Sequence, residues 1–379
     1  MESIILIACS LIVLLTLALT ARCRMAQKKM MWLYPSFSPD KVFPKISVII
    51  PARNEECDIA ASLRTVLKQH WVDLEIIVVN DHSTDRTGKI VDKIALADPR
   101  VTVIHDPPLK KGWLGKCNAM QHAAAQATSE YLIFADADVL HDPMCFASAF
   151  TVMQKQDYDM FSFCPLLVNE SIFEHINIPI YFVGFIKLLA MPELADPASS
   201  NALASGAFML LKAHVFHENG GFESVKGEIF DDVGLARVLK AKKFRVSYWF
   251  APECSQVRLF KNAKDAFWGT TKNILGAVEG HAILALPLIL VALFQYWTPV
   301  FAVIAGSLTA SPLLVVVGLG TYAIQYLSFF SVRKFFRFYK VKLLVFPLVV
   351  IVSTCCIARA LFFKMRGKIY WRGRAIRVK

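Results

Sequence analysis

Between Tyr131 and Asp138 the chain reads Tyr-Leu-Ile-Phe-Ala-Asp-Ala-Asp. Four apolar residues in a row indicate a buried strand, and two aspartates one residue apart end it abruptly. Along a strand, residues i and i+2 share a face. Asp136 and Asp138 are therefore expected to project together from the strand's carboxyl end, where open α/β sheets take ligands. Paired carboxylates repel unless a cation lies between them, and hard oxygen donors suit Mg²⁺ or Mn²⁺. Such an ion most often serves a substrate diphosphate. Two surface aspartates beside a turn are the plainer explanation of the same letters.

That strand is one of a series. Strand-like runs at 46–50 (breaking at Pro51), 75–80, 101–104 and 131–135 alternate with helical stretches at 54–70, 84–97 and 116–128. The first helix is expected to carry Glu55, Glu56 and Asp58 in its opening turn, which suits the helix dipole. Further strands are expected at 159–164, at 204–211 (entered through Gly206) and at 244–248, with a helix at 231–242. The alternation predicts an α/β fold with a mostly parallel, doubly wound sheet. Neither GxGxxG nor GxxxxGK[ST] follows the first strand, which excludes the usual dinucleotide and phosphate-loop sites.

Both ends of the chain are apolar. Residues 4–21 form an uninterrupted run of 18, followed at once by Arg22, Arg24, Lys28 and Lys29. A cleavable signal peptide would place its charges before the apolar run, so the order indicates an anchor with its C-terminal end in the cytoplasm. Pro35, Pro39 and Pro44 suggest an extended linker. Positions 282–330 hold enough apolar chain for two spans of roughly twenty residues each, and 343–363 for a third. Counting three spans puts the tail outside, whereas the basic residues of 333–342 and of the tail argue that both lie inside. The charges outweigh the count, so one apolar segment is expected to be re-entrant or interfacial, and Pro347 points to the last. Residues 172–194, broken by Pro179, read as an interfacial segment or a buried core helix.

At 55% hydrophobic the chain is too apolar for a purely soluble enzyme. Its net charge is +12, yet three acid-free stretches (22–29, 333–342 and 364–379) hold sixteen basic residues, so the remainder is net acidic. That distribution favours anionic lipid headgroups over nucleic acid. Nine cysteines without a CxxC pair or metal-type histidine spacing read as reduced thiols. The expected organisation is an anchor at 1–22, a cytoplasmic catalytic domain at 45–275 with an interfacial part at 170–196, membrane helices at 282–363 and a basic tail at 364–379.

Five stretches are placed by this reading on one sheet edge. They are Pro51-Ala52-Arg53-Asn54-Glu55-Glu56, Asn80-Asp81-His82-Ser83-Thr84-Asp85, Gly112-Trp113-Leu114-Gly115-Lys116, Asp136-Ala137-Asp138 and Asp231-Asp232. Over roughly residues 45–275 their order and spacing resemble the inverting family 2 glycosyltransferases, whose catalytic domain has the GT-A fold. Gly-Trp-x-Gly-Lys, Asp-Asp-Val-Gly-Leu-Ala at 231–236 and Trp371-Arg372-Gly373-Arg374 look most like membrane glycosyltransferases of carotenoid and hopanoid gene contexts. Ceramide glucosyltransferases are similar more distantly.

The resemblance implies a role for each residue. Glu55 and Asp81 meet the nucleotide on a floor shaped by Pro51, Arg53 and Asn54; Asp81 could instead cap the next helix, for which Asp85 is better placed. Lys116 sits by the diphosphate or the sugar, Asp136 holds the ribose or assists the metal, and Asp138 binds the metal. Asp232 is the general base, beside Asp231 where the family usually has Glu; capping of the helix is compatible with that role. Gly206 lines the acceptor or sugar side. Arg258 and Lys272 clamp the diphosphate, or else belong to a helix resting on headgroups. Gln256-Val257-Arg258-Leu259 departs from the Gln-x-x-Arg-Trp of processive members, which argues against polymer synthesis. The activity implied is transfer of one sugar from a nucleotide sugar, a UDP-sugar, to a lipid acceptor by a multi-pass enzyme of the cell membrane using Mg²⁺ or Mn²⁺. Two alternatives stay open: a nucleotidyltransferase of related fold and a non-catalytic membrane scaffold that binds nucleotide sugar.

Overall fold

The computed structural model describes residues 2–36, 43–171, 174, 194, 196, 198–278, 282–329, 336–337, 346–371 and 374–377. The chain forms two units, one built from Met30–Val168 and Met191–Arg258, the other holding the first helix and the chain from Leu259 onward.

In the second unit, α1 (Glu2–Lys29) is longer than the expected anchor and runs on through the basic residues. Among the described residues it is the helix whose length and composition suit a bilayer crossing, and Ile4, Ile7, Leu11 and Leu14 on its surface are exposed.

The first unit is organised by β1 (Lys45–Ala52), whose residues 46–50 are all buried. Burial on both faces is what a parallel strand covered by helices requires, and it explains the unbroken Ile-Ser-Val-Ile-Ile run. On its flanks lie α2 (Ile59–Leu67), β2 (Asp73–Asn80), α3 (Thr87–Ala97), β3 (Val101–His105), α4 (Gly115–Ala124), β4 (Tyr131–Phe134) and β5 (Val139–His141). Then follow α5 (Cys145–Lys155), β6 (Met160–Val168), β7 (Met209–Lys212), α6 (Ala213–Glu218), α7 (Asp231–Ala241) and β8 (Val246–Val257). The sheet order is β3-β2-β1-β4-β7-β6-β8-β5.

The expected parallel sheet is present from β3 to β4. Beyond β4 the sheet is mixed, which corrects the doubly wound expectation. Strand β7 runs antiparallel between β4 and β6, and β5 is antiparallel to β8, while β6 and β8 are parallel. Two apolar layers cover the sheet. One contains Phe146, Phe150, Phe161, Phe163 and Phe208, the other Phe134, Phe216 and Phe222. Phe163 and Phe208 stack with centroids 4.4 Å apart. Burial of such a side chain contributes roughly 1.5–3 kcal/mol.

Several boundaries differ from expectation. Pro51 lies inside β1 rather than ending it. Residues 55–58 form a turn before α2, so Glu55, Glu56 and Asp58 precede the helix instead of opening it. Strand β4 stops at Phe134, which leaves Asp136 and Asp138 in the turn that leads to β5 rather than on the strand itself.

In the second unit, α8 (Ala263–Val278), α9 (Ala282–Leu308), α10 (Pro312–Phe329) and α11 (Phe346–Met365) occupy the apolar stretches. Gln295 of α9 donates to Thr16 Oγ1 of α1 at 3.1 Å, and Gln325 of α10 donates to the Gln295 carbonyl at 2.6 Å. A Cβ on Gly318 would lie 2.9 Å from Val303, a close helix approach that only a small residue permits. Pro347 occupies the first turn of α11, where a missing N–H costs no helical hydrogen bond, so it does not interrupt the helix. The expected interfacial stretch at 172–194 lies outside the described residues except Glu174 and Leu194, and so does the 333–342 loop except 336–337.

Candidate active site

Strand register delivers the site residues. Ala52 pairs with Asn80 in the parallel β1–β2 ladder, so the chain leaves both strands at one level. There the Arg53 guanidinium donates to the Asp81 carbonyl at 2.8 Å, and Asp81 N–H donates to the Ala52 carbonyl at 2.8 Å. Asn54 adopts a left-handed backbone (φ 55°), which asparagine tolerates. Its N–H donates to Ser83 Oγ at 3.0 Å and its Oδ1 accepts from Thr84 N–H at 2.8 Å. Glu55 N–H donates to Thr87 Oγ1 at 2.8 Å. These bonds lock the loop after β1 to the loop after β2, forming one wall with the buried Glu55 and Asp81 carboxylates.

Asp85 precedes the N-cap Arg86, and its carboxylate accepts from Thr87 N–H at 2.9 Å and from Glu56 N–H at 3.1 Å. Asp81 instead meets the His82 ring nitrogen at 3.0 Å. The Asp85-x-Thr87 spacing is a readable sign of the bond to the helix start; the tie to Glu56, twenty-nine residues back, is not.

The second wall forms where β4, β7, α4 and α7 meet. Phe134 pairs antiparallel with Met209, which sets Gly206 beside Asp136. Asp136 N–H donates to the Gly206 carbonyl at 3.0 Å. Gly206 N–H donates to Asp232 Oδ2 at 2.7 Å, and Val233 N–H donates to Asp232 Oδ1 at 2.8 Å. Lys116 Nζ lies 2.6 Å from Asp136 Oδ1. A Cβ built on Gly206 would stand 2.6 Å from Lys116 Nζ and 3.0 Å from Asp136 Oδ2. Gly206 is thus the crossing point of a lysine and two aspartates drawn from three separate elements.

Electrostatics explain why a lysine sits at a helix start. Lys116 is in the first turn of α4, where the dipole disfavours a cation. Burial acts to lower its pKa, but Asp136, Asp231 and Asp232 outweigh it and hold the ammonium charged. Asp231 and Asp232 open α7, where acids are favoured. The Asp232 carboxyl is pushed up to about 6, by burial first and then by Asp231, against Lys116 and the two backbone N–H donors. A carboxylate with such a pKa can take a proton near neutral pH.

Arg258 follows the end of β8. The antiparallel β5–β8 register pairs Val139 with Val257, so one further step sets Arg258 across from Asp138. Pro51 lies on β1, paired with Val79. Lys272 belongs to α8 in the other unit and is not among the residues that the first unit brings together.

The donor set near Asp136 and Asp138 suits a hard cation. Among the described residues no group of three or more His, Cys, Asp or Glu forms a closed cage. Mg²⁺ and its like are held by one or two carboxylates, with substrate phosphate and water completing the shell, so two aspartates fit this need.

The first unit is thus an α/β domain whose mixed sheet gathers a lysine and acids at one edge. Residues 47–207 match the model of glycosyl transferase family 2. A 4,4'-diaponeurosporenoate glycosyltransferase of Staphylococcus haemolyticus (strain JCSC1435) is 25% identical over 232 residues, 60% of this chain and 60% of its own. The probable glycosyltransferase YdaM of Bacillus subtilis (strain 168) is 37% identical over 100 residues, 26% of this chain and 24% of its own. The chain therefore spans less than two thirds of the length of these curated relatives. In fold it is similar to the mannosyltransferase PcManGT of Pyrobaculum calidifontis, solved with GDP-Man and Mn²⁺ (TM-score 0.56, 18% identity, covering 96% of this chain and 99% of that one).

Proposed function

We propose that the chain transfers one sugar from a nucleotide sugar, a UDP-sugar, to the hydroxyl of a membrane lipid with inversion at the anomeric carbon. The observation that carries this reading is the crossing at Gly206, where the Lys116–Asp136 ion pair stands beside the glycine and Asp232 accepts from its N–H.

In this reading the wall of Arg53, Asn54, Glu55 and Asp81 takes the nucleotide, with Pro51 closing its floor. A uracil N3–H is a donor, and a carboxylate on that wall accepts it. Lys116 sets a fixed positive charge where the diphosphate or the departing sugar lies. Asp138, with Asp136, would hold Mg²⁺ or Mn²⁺, and the ion supplies charge neutralisation to the leaving diphosphate. Arg258, across from Asp138, adds positive charge to the same end. Asp232 takes the proton from the acceptor hydroxyl as that oxygen attacks in line, and Asp231 keeps its basicity high. One base and one stabilised leaving group suffice for inversion.

The acceptor class rests on the apolar helices. A lipid that does not leave the bilayer has to be met at its surface, and α1, with the apolar α9 to α11, supports a multi-pass membrane enzyme whose catalytic unit faces the cytoplasm. The test is incubation of the full chain with labelled UDP-sugars, Mg²⁺ or Mn²⁺ and membrane lipid. Label in the organic phase is expected. Label confined to water-soluble polymer or protein overturns the lipid acceptor, and no turnover with any donor favours a nucleotide-sugar-binding scaffold.

A further inference from the structure

The second unit holds a charged residue that the transfer reaction does not use. Arg359 lies within α11, among apolar residues, and is half-buried. Its guanidinium carbon stands 3.4 Å from the centroid of the Trp268 ring, 4.7 Å from Phe267 and 5.4 Å from Phe363. Two of these rings come from α8 and one from α11 itself. The rings attract the face of the cation. They offer nothing to its edge, which carries five N–H donors.

Among the described residues no carboxylate pairs with Arg359 and no oxygen accepts from it. A charge on an apolar helix is costly unless its donors find acceptors, and such residues seldom stand without a function. The position along the helix supplies the depth. Arg359 is six residues before Met365, the last of α11, a rise of about 9 Å. Lys364 and Arg366 follow at that end. Trp268, which stacks on the guanidinium, is a residue type that prefers the level of lipid headgroups.

We infer that Arg359, held face-on by Phe267, Trp268 and Phe363, binds the phosphate of an anionic phospholipid at the bilayer surface. A guanidinium edge matches two phosphate oxygens, and the aromatic faces pre-set its plane. The lipid completes the α8–α11 contact, and so ties the helix that follows the catalytic unit to the membrane. The inference rests on α11 being a membrane helix and is independent of the sugar-transfer chemistry.

The experiment uses the full chain in detergent, titrated with phosphatidylglycerol, with phosphatidylcholine as a neutral control. Retained lipid is counted by native mass spectrometry and the unfolding midpoint is followed in parallel. Wild type is expected to keep phosphatidylglycerol and gain midpoint. Arg359→Met, which leaves a flexible apolar chain among the rings, is expected to lose about tenfold or more in apparent affinity, the scale of a charge-assisted hydrogen bond. Arg359→Lys keeps part of it, and Arg366→Gln, at an exposed site, keeps nearly all. Equal retention by wild type and Arg359→Met overturns the site. Inorganic phosphate that raises the wild-type midpoint as much as the lipid does overturns the lipid claim. Carbonate extraction separates the two layers: release of the chain to the supernatant refutes the membrane reading of α11 and the site with it. A pelleted chain without Arg359-dependent retention refutes the site alone.

Discussion

Replacing Gly206 with alanine tests the crossing with a single methyl group. The new Cβ would stand 2.6 Å from Lys116 Nζ, 3.0 Å from Asp136 Oδ2 and 3.4 Å from Asp136 Oδ1. The nearest atom is the tip of a flexible side chain, so the fold can yield by moving the ammonium aside. The expected stability change is therefore under about 1 kcal/mol, in the range of substitutions that create neither a cavity nor an unpaired buried charge. Activity is another matter, because Lys116 can no longer sit 2.6 Å from Asp136. A charge-assisted hydrogen bond is worth roughly 1.5–3 kcal/mol, and about a third of each side chain is exposed, so screening favours the lower end. A loss of about 1.5 kcal/mol corresponds to roughly tenfold in kcat/KM. The assay is the initial rate of sugar transfer beside the thermal midpoint. In a Lys116→Met background the same change is expected to cost nothing further, since the contact is already gone. An unchanged kcat/KM in Gly206→Ala, or full additivity with Lys116→Met, refutes the reasoning.

Other outcomes follow from the same geometry. His141 is buried against Phe146 and Phe208, and burial pushes its pKa down to about 3 from an ordinary 6.5. The unfolded chain binds that proton first, so stability is expected to fall as pH drops from about 6.5 towards 3; a His141→Phe variant with an unaltered pH slope in denaturant unfolding would count against it. Lys240 Nζ donates to the carbonyls of Asp196 at 3.0 Å and Asn201 at 2.6 Å, bracing the chain that leads to Gly206. Lys240→Met is expected to destabilise by about 1–3 kcal/mol and to lower the transfer rate, read from urea midpoints and initial rates. Chelation of divalent cations, or Asp138→Asn, is expected to abolish transfer without shifting the thermal midpoint, because among the described residues no closed cage of protein ligands braces the fold.

Much of this architecture was readable because its signals are local. The runs that became β1 to β4 are apolar and bounded by turns, and the acids after them mark a carboxyl edge. What escaped depends on pairing. The direction of β7 leaves no trace in the composition of Met209–Lys212, which reads alike in a parallel or an antiparallel ladder. Strand β5 has three residues, too few for any period, and residues 145–150 of α5 are buried one after another, which blurs the helical stripe at its start. Glu55, Glu56 and Asp58 looked like the first turn of a helix; the bonds from Glu55 and Glu56 to Thr87 and Asp85 hold them in a turn instead. Asp136 and Asp138 stood out as residues, but the reason first given for their pairing fails, since they sit past the strand's end. Gly206 could be singled out by type, whereas its contacts with Lys116, Asp136 and Asp232 require three elements to close on it. The place of Arg258 across from Asp138 is a register effect with no local signature.

The role of Asp232 is tested most directly by the pH dependence of kcat/KM for wild type, Asp231→Asn and Asp232→Asn. With the carboxyl at about 6, the wild-type rate is expected to rise with pH and level off above that value, because only the ionised form accepts a proton. Asp231→Asn removes a repelling charge and shifts the inflection to lower pH. Asp232→Asn loses roughly 10²–10⁴ in rate and the inflection with it. A wild-type profile flat from pH 4 to 8, or an Asp232→Asn enzyme that retains both rate and inflection, contradicts the assignment of the proton acceptor.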